Sequence, residues 1–154
     1  MIERVRAALA RHAPAYAIRT VARLGEGGKN VAYDVNGELV VRVRKDAASD
    51  DGGLLVEDEA ALLAAVAKVS TLPAPAVMFA EADAGILAYR KLPGVPLLEQ
   101  TIAEPITLAP ALGAFLSRLH AAPVAMLERL VPRDDDGLAD WLDRAADEYA
   151  HVAR

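Results

Sequence analysis

Apolar and polar positions change period several times along this chain, and each change marks an element. Ile2, Val5 and Leu9, with Arg6 and His12 on the same spacing, predict a short helix that Pro14 ends. Ile18–Leu24 alternates and is rich in Ile, Thr and Val, which predicts a strand. After Gly25-Glu26-Gly27-Gly28-Lys29-Asn30, the run Val31–Val35 predicts a second strand. Asn36-Gly37 follows; both positions tolerate positive φ, so a two-residue hairpin turn is expected, and Leu39–Arg44 completes a three-stranded antiparallel meander. The polar segment Ala47–Gly53 predicts a loop. Leu55, Leu62, Val66 and Val69 then share one face of a helix. Glu57, Asp58 and Glu59 lie in its first turns, where negative charge suits the helix dipole. Pro73 and Pro75 close that helix. Val77–Glu81 and Ile86–Arg90 predict a further hairpin, turning at Ala82-Asp83-Ala84-Gly85. Pro93-Gly94-Val95-Pro96 is a rigid connector. Beyond it the pattern is helical, with one stripe through Leu108, Leu112, Phe115, Leu116 and Leu119, and another through Leu138, Trp141, Leu142, Ala145, Tyr149 and Val152. No internal repeat is present.

Composition narrows this picture only slightly. The 154 residues suffice for one good core, or for one small lobe plus a helical extension. An apolar fraction of 54% excludes a disordered chain, and much of it is alanine, which favours helix. Seventeen basic and 22 acidic residues give a net charge of −5, which argues against general nucleic-acid binding and suits a cationic small substrate. The absence of cysteine excludes disulfides and thiolate metal sites. No apolar run approaches a membrane span, and Met1-Ile2-Glu3-Arg4-Val5-Arg6 lacks a signal-peptide core, so a cytoplasmic protein with no membrane partner is expected.

The candidate chemistry begins at the glycines. Gly25, Gly27 and Gly28 allow backbone N–H groups to approach phosphate oxygens without Cβ clashes. A P-loop needs Ser or Thr after Gly-Lys, where this chain has Asn30, and the upstream glycine is missing. A dinucleotide-binding turn needs a helix next, whereas an alternating strand follows here. A kinase-type loop between antiparallel strands fits both flanks; a simple turn is the bland alternative. In the third strand, Leu39, Val41 and Val43 share one face while Val40, Arg42 and Arg44 share the other. Arg42 is then the cation best placed to pair phosphate oxygens, unless it belongs to a solvated sheet face. Lys45 falls on the opposite face. Glu59, with Glu57 as its competitor, lies where a carboxylate could partner that cation, although acidic residues are common in a helix's first turn.

These blocks together resemble the N-terminal half of an aminoglycoside phosphotransferase, a family of kinase-like antibiotic-resistance enzymes. The likeness rests on Leu24-Gly25-Glu26-Gly27 with Asn30 and Tyr33, on Leu39-Val40-Val41-Arg42-Val43 and on the helix carrying Glu59. It continues through Leu72-Pro73-Ala74-Pro75, Val77-Met78-Phe79 and Lys91-Leu92-Pro93-Gly94-Val95-Pro96-Leu97 to Leu112–His120. Their order is most similar to the branch that phosphorylates the 2″-hydroxyl of aminoglycosides. The resemblance implies an α+β fold: a kinase-like N-lobe of antiparallel sheet plus helix at 1–92, a linker at 93–97 and part of a helical C-lobe at 98–154. It implies ATP or GTP as cofactor, with Mg in the complete enzyme, and an aminoglycoside-like small molecule as the phosphate acceptor. Nucleotide binding would fall to Gly25, Gly27, Gly28, Asn30, Arg42 and Glu59, and to a purine-contacting hinge at Ala88–Leu92 that includes Tyr89 and Lys91. Arg42 stands where most protein kinases carry Lys, which keeps the charge and changes the geometry.

One departure is large. Kinase chemistry needs a catalytic-loop Asp and Asn and a second, metal-binding Asp. The family carries them in a His-Gly-Asp-like segment and a later Asp segment, and neither occurs among these residues. No catalytic or metal-binding residue is therefore assigned. His120 is expected to be a helix-end histidine, and Asp134-Asp135-Asp136, before Gly137, a helix cap. The chain is expected to be truncated before the catalytic loop and inactive alone. Alternatively it is a catalytically dead nucleotide-binding or assembly module that self-associates through helices 108–119 and 138–152.

Overall fold

The computed structural model describes residues 1–45, 55–96, 99–131, 141, 142, 144 and 145. Helix α1 (Ile2–His12) is followed by strands β1 (Val21–Glu26), β2 (Asn30–Val35) and β3 (Leu39–Arg44). Helix α2 (Val56–Val69) leads to β4 (Val77–Glu81) and β5 (Ile86–Arg90), and helix α3 (Ala109–His120) comes after a 3-10 turn at Pro105–Leu108. The five strands form one antiparallel sheet in the order β1-β2-β3-β5-β4. The predicted meander and the predicted second hairpin are thus halves of one sheet, joined where β3 pairs with β5.

Strand parity assigns the two faces. Val31, Tyr33 and Val35 on β2, Leu39, Val41 and Val43 on β3, and Ile86 and Ala88 on β5 point to one side, where α1 supplies Val5, Ala8 and Leu9. These residues form the core; Val5, Leu9, Leu39, Val41, Val43 and Ile86 are completely buried. Burial of such side chains contributes about 1.5–3 kcal/mol each against the unfolded chain. Ala8 joins this core although only Ile2, Val5 and Leu9 marked the predicted face; Ile2 is exposed instead.

The opposite face carries Ala32, Asp34, Val40, Arg42, Leu87 and Tyr89, which the register brings into line across β2, β3 and β5. Helix α2 packs against β4 and β5 and also meets α3. Leu55, expected on its buried face, is the exposed residue preceding its first turn, and Val56 and Ala65 are buried instead. The strand predicted over Ile18–Leu24 begins only at Val21, because the amides of Arg19 and Thr20 are held by the Asn36 side chain rather than by a neighbouring strand.

Helix α3 carries the first predicted C-terminal stripe. Leu108, Phe115 and Leu119 are half-buried, whereas Leu112 and Leu116 are 47% and 48% exposed. His120 stands in the last turn of α3. The segment Ala47–Gly53 and the Asp134–Asp136 run lie outside the described residues, as do Leu138, Tyr149 and Val152 of the second stripe. No described helix is long and apolar enough to cross a membrane.

Candidate functional site

β1 and β2 meet in a tight hairpin whose turn is Gly27-Gly28-Lys29, closed by Gly27 N–H donating to the Asn30 carbonyl at 2.9 Å. β1 is irregular in register between Arg23 and Gly25, so the strand bends as it enters the turn. A cleft of about 430 Å³ lies beneath this hairpin, lined by Gly25, Gly27, Gly28, Asn30, Ala32 and Arg42 among others. Arg42 sits opposite Ala32 in the register, and that short side chain leaves its guanidinium open to the cleft.

The guanidinium is also held from below. Glu59, on the first turn of α2, accepts a hydrogen bond from Arg42, and both side chains are about three-quarters buried. Glu57 is exposed. A partly buried pair of this kind fixes the cation's position while leaving its other N–H groups to bind an anion. Behind it, burial raises the Tyr89 phenol above its ordinary range, with Arg42 opposing and Glu59 reinforcing that shift. Glu26 at the hairpin is bonded to Lys45 and Arg23, which keeps its negative charge compensated beside the cleft.

A second cleft of about 570 Å³ adjoins the first along Leu24. Leu24 and Val40 line it from the sheet, and the segment from Lys91 to Pro96 lines it together with Glu99. Each cleft falls within the range of roughly 300–1,000 Å³ that small-molecule sites occupy. Together they make one slot, with the glycines and Arg42 at one end and Leu24, Val40 and the 91–96 segment at the other. Such a slot offers the Arg42 cation at one end and the aliphatic side chains of Leu24 and Val40 at the other.

Residues 20–154 match the phosphotransferase enzyme family. The chain belongs to that family. Solved structures agree on its fold. The GDP and kanamycin complex of APH(2″)-IIia is 25% identical, with a TM-score of 0.68 over 82% of this chain and 44% of that one. The GDP complex of wild-type aminoglycoside 2′-phosphotransferase-IIIa is 24% identical, with a TM-score of 0.72 over 95% and 50% of the two chains. The streptomycin–ATP–APH(2″)-IIa ternary complex is 16% identical, with a TM-score of 0.60 over 84% and 43%. The chain spans about half the length of these phosphotransferases, or slightly less. No curated protein matches it. Its five-stranded sheet with flanking helices is the kinase-like N-lobe of the phosphotransferase fold.

Within this phosphotransferase lobe, Gly25, Gly27, Gly28, Asn30 and Arg42 come together around one cleft, with Glu59 supporting Arg42. Tyr89 and Lys91 do not reach that cleft. Tyr89 lies on the same sheet face, opposite Val40, while Lys91 lines the second cleft. The Lys91 backbone N–H donates to the Glu38 carbonyl at 2.9 Å. The sequence reading overlooked Leu24 and Val40 as slot walls. The signal for Val40 was available, since it shares strand parity with Arg42. Among the described residues no three His, Asp or Glu side chains gather as a group that could hold a metal ion.

Proposed function

We propose that this chain holds a purine nucleoside triphosphate, ATP or GTP, as the nucleotide-binding half of an aminoglycoside phosphotransferase-like kinase. The complete enzyme would pass the γ-phosphate to a hydroxyl of an aminoglycoside-like small molecule. Residues 1–92 would be the nucleotide lobe, 93–97 the connector and 98–154 the start of a helical lobe. The observation that carries this reading is the Arg42–Glu59 pair, set on the slot-facing side of β3 directly beneath a glycine hairpin. Backbone N–H groups of Gly27 and Gly28 and the Arg42 guanidinium would take the phosphates, and the purine would lie between Leu24 and Val40. The GDP, ADP and ATP in the relatives' complexes support the same ligand class.

Phosphoryl transfer also needs a group that takes the hydroxyl proton and carboxylates that hold the metal. The 154 residues contain no His-Gly-Asp-like segment to supply them. Here the chain's own contribution is to bind and orient the phosphates. Titration calorimetry with ATP and with GTP tests the reading. Saturable binding of at least one is expected, with binding lost in Arg42→Met. Absence of binding to both would overturn it, and phosphate transfer to an aminoglycoside by this chain alone would overturn the restriction to binding.

The exposure of Leu112 and Leu116 on α3 favours a second reading, an assembly module that pairs with another copy of itself. Light scattering at 16.3 kDa, the mass of one chain, would overturn that reading.

A further inference from the structure

One carboxylate ties together the end of the sheet beside the second cleft. Asp34 Oδ2 accepts a hydrogen bond from Lys91 Nζ at 2.5 Å, and its Oδ1 accepts one from the Gly37 backbone N–H at 2.6 Å. The Lys91 backbone N–H adds a second tie, to the Glu38 carbonyl at 2.9 Å. The β2–β3 turn that receives both ties is itself fixed. Asn36 and Gly37 occupy positive φ of 58° and 74°, and the Asn36 side chain binds the amides of Arg19 and Thr20 and the carbonyl of Ala17. Lys91 is the first residue of the segment that walls the 570 Å³ cleft. Asp34 points to the slot side of the sheet, opposite Val40, with only 16% of its side chain exposed. A carboxylate so placed is costly without a cationic partner, which makes the pairing with Lys91 strongly preferred.

We infer that Asp34 is a positioning residue for the base end of a bound nucleotide. Acting through Lys91, it holds the wall at 91–96 at the separation from Leu24 and Val40 that a flat purine fills. This rests on the nucleotide reading above and adds to it a residue that touches no phosphate. The phosphate end is built from the glycine hairpin and Arg42, and of the residues around the two clefts only Leu24 belongs to both. Loosening the Asp34–Lys91 tie should therefore weaken binding of the base and spare binding of the phosphates.

The test is calorimetry on the full chain with ATP, GTP and inorganic tripolyphosphate, comparing wild type, Lys91→Met, Asp34→Asn and the double variant. Each single variant should bind the preferred nucleotide about tenfold more weakly, the effect of losing one charge-assisted hydrogen bond. Tripolyphosphate affinity should stay within about twofold, since its contacts are charge interactions at the other end. The double variant should be no weaker than the singles, because all three remove the same tie. Lys91→Arg, which can still reach the carboxylate, should recover most of the loss. Unchanged nucleotide affinity in the single variants, or an equal loss for tripolyphosphate, overturns the inference. If Asp34→Asn fails to fold through loss of its turn, Lys91→Met decides alone, since it leaves the Asp34–Gly37 bond in place. A wild type that binds neither ATP nor GTP overturns the nucleotide reading and this inference with it, so the two failures are read from different samples.

Discussion

Glycine at 25, 27 and 28 is not required by the chain's own geometry. None of the three has a positive φ, and a Cβ added at any of them would meet no atom within 4 Å. Gly37 differs, because its φ of 74° strains any residue with a side chain. The open space beside the three hairpin glycines therefore belongs to whatever enters the cleft. Gly27→Ala is expected to leave the melting temperature unchanged or slightly higher, because alanine lowers the entropy of the unfolded chain, an effect of about 0.4–1 kcal/mol. The same change should weaken ATP or GTP binding about tenfold in calorimetry, by placing a methyl group where phosphate oxygens must approach. A lower melting temperature with unchanged affinity would show that the glycine serves the fold. Arg42 makes the same point from the other wall of the cleft: strand parity placed it on the slot face, and Glu59, expected as its partner ahead of Glu57, accepts its hydrogen bond.

At the scale of elements, alternation made β3, β4 and β5 legible to the residue, since Leu39–Arg44, Val77–Glu81 and Ile86–Arg90 all stand where the pattern put them. The pairing of β3 with β5 was not legible, because a helix and another strand intervene and such pairing leaves no periodic trace in sequence. The Lys91–Asp34 tie was hidden for the same reason, its partners lying 57 residues apart. Helix α1 was legible as a helix but not as a lid on the core. The family match begins at residue 20, after this helix has ended, yet α1 contributes Val5, Ala8 and Leu9 to the core. Its last turn is clasped to β4, where Glu81 accepts two bonds from Arg11 at 2.6 and 2.9 Å and lies 3.1 Å from His12 Nε2, whose ring stacks on Phe79. Arg11, the larger cause, holds the Glu81 carboxyl below its ordinary value of 4.5. A depressed folded pKa means that the clasp contributes fully above pH 4.5 and is lost as pH falls through the folded value. Arg11 is half exposed, so solvent screens the pair, and the contribution is only about 0.5–1 kcal/mol. Glu81→Gln should melt lower than wild type at pH 7, with the gap closing as pH is taken well below 4.5. A gap that stays constant down to pH 2 would show that charge is not what holds α1 to the sheet.

Across the whole molecule, packing is concentrated at the sheet and thins toward α3. Leu39, Val41 and Val43 of β3 are completely buried, and β3 is hydrogen-bonded on both sides, by β2 and by β5. Helix α3 has no fully buried residue and no side-chain N-cap, and Leu112 and Leu116 on it face solvent. Twelve helical residues with so little tertiary support are marginal in water. Local stability follows burial, so opening free energies should run from the global value in β3 and β5 to near zero in α3. Native-state hydrogen exchange measures this directly. The amides of Val41, Val43 and Ala88 should exchange only through global unfolding, while those of Leu112–Leu116 should exchange within the first time points. Adding ATP or GTP should slow exchange in β1, β2 and β3, which surround the slot, and leave α3 unchanged, because no residue of α3 lines either cleft. Protection of α3 equal to that of β3 in the free chain would mean that another surface covers its exposed face in solution, and the distribution of stability would then have to be redrawn around that contact.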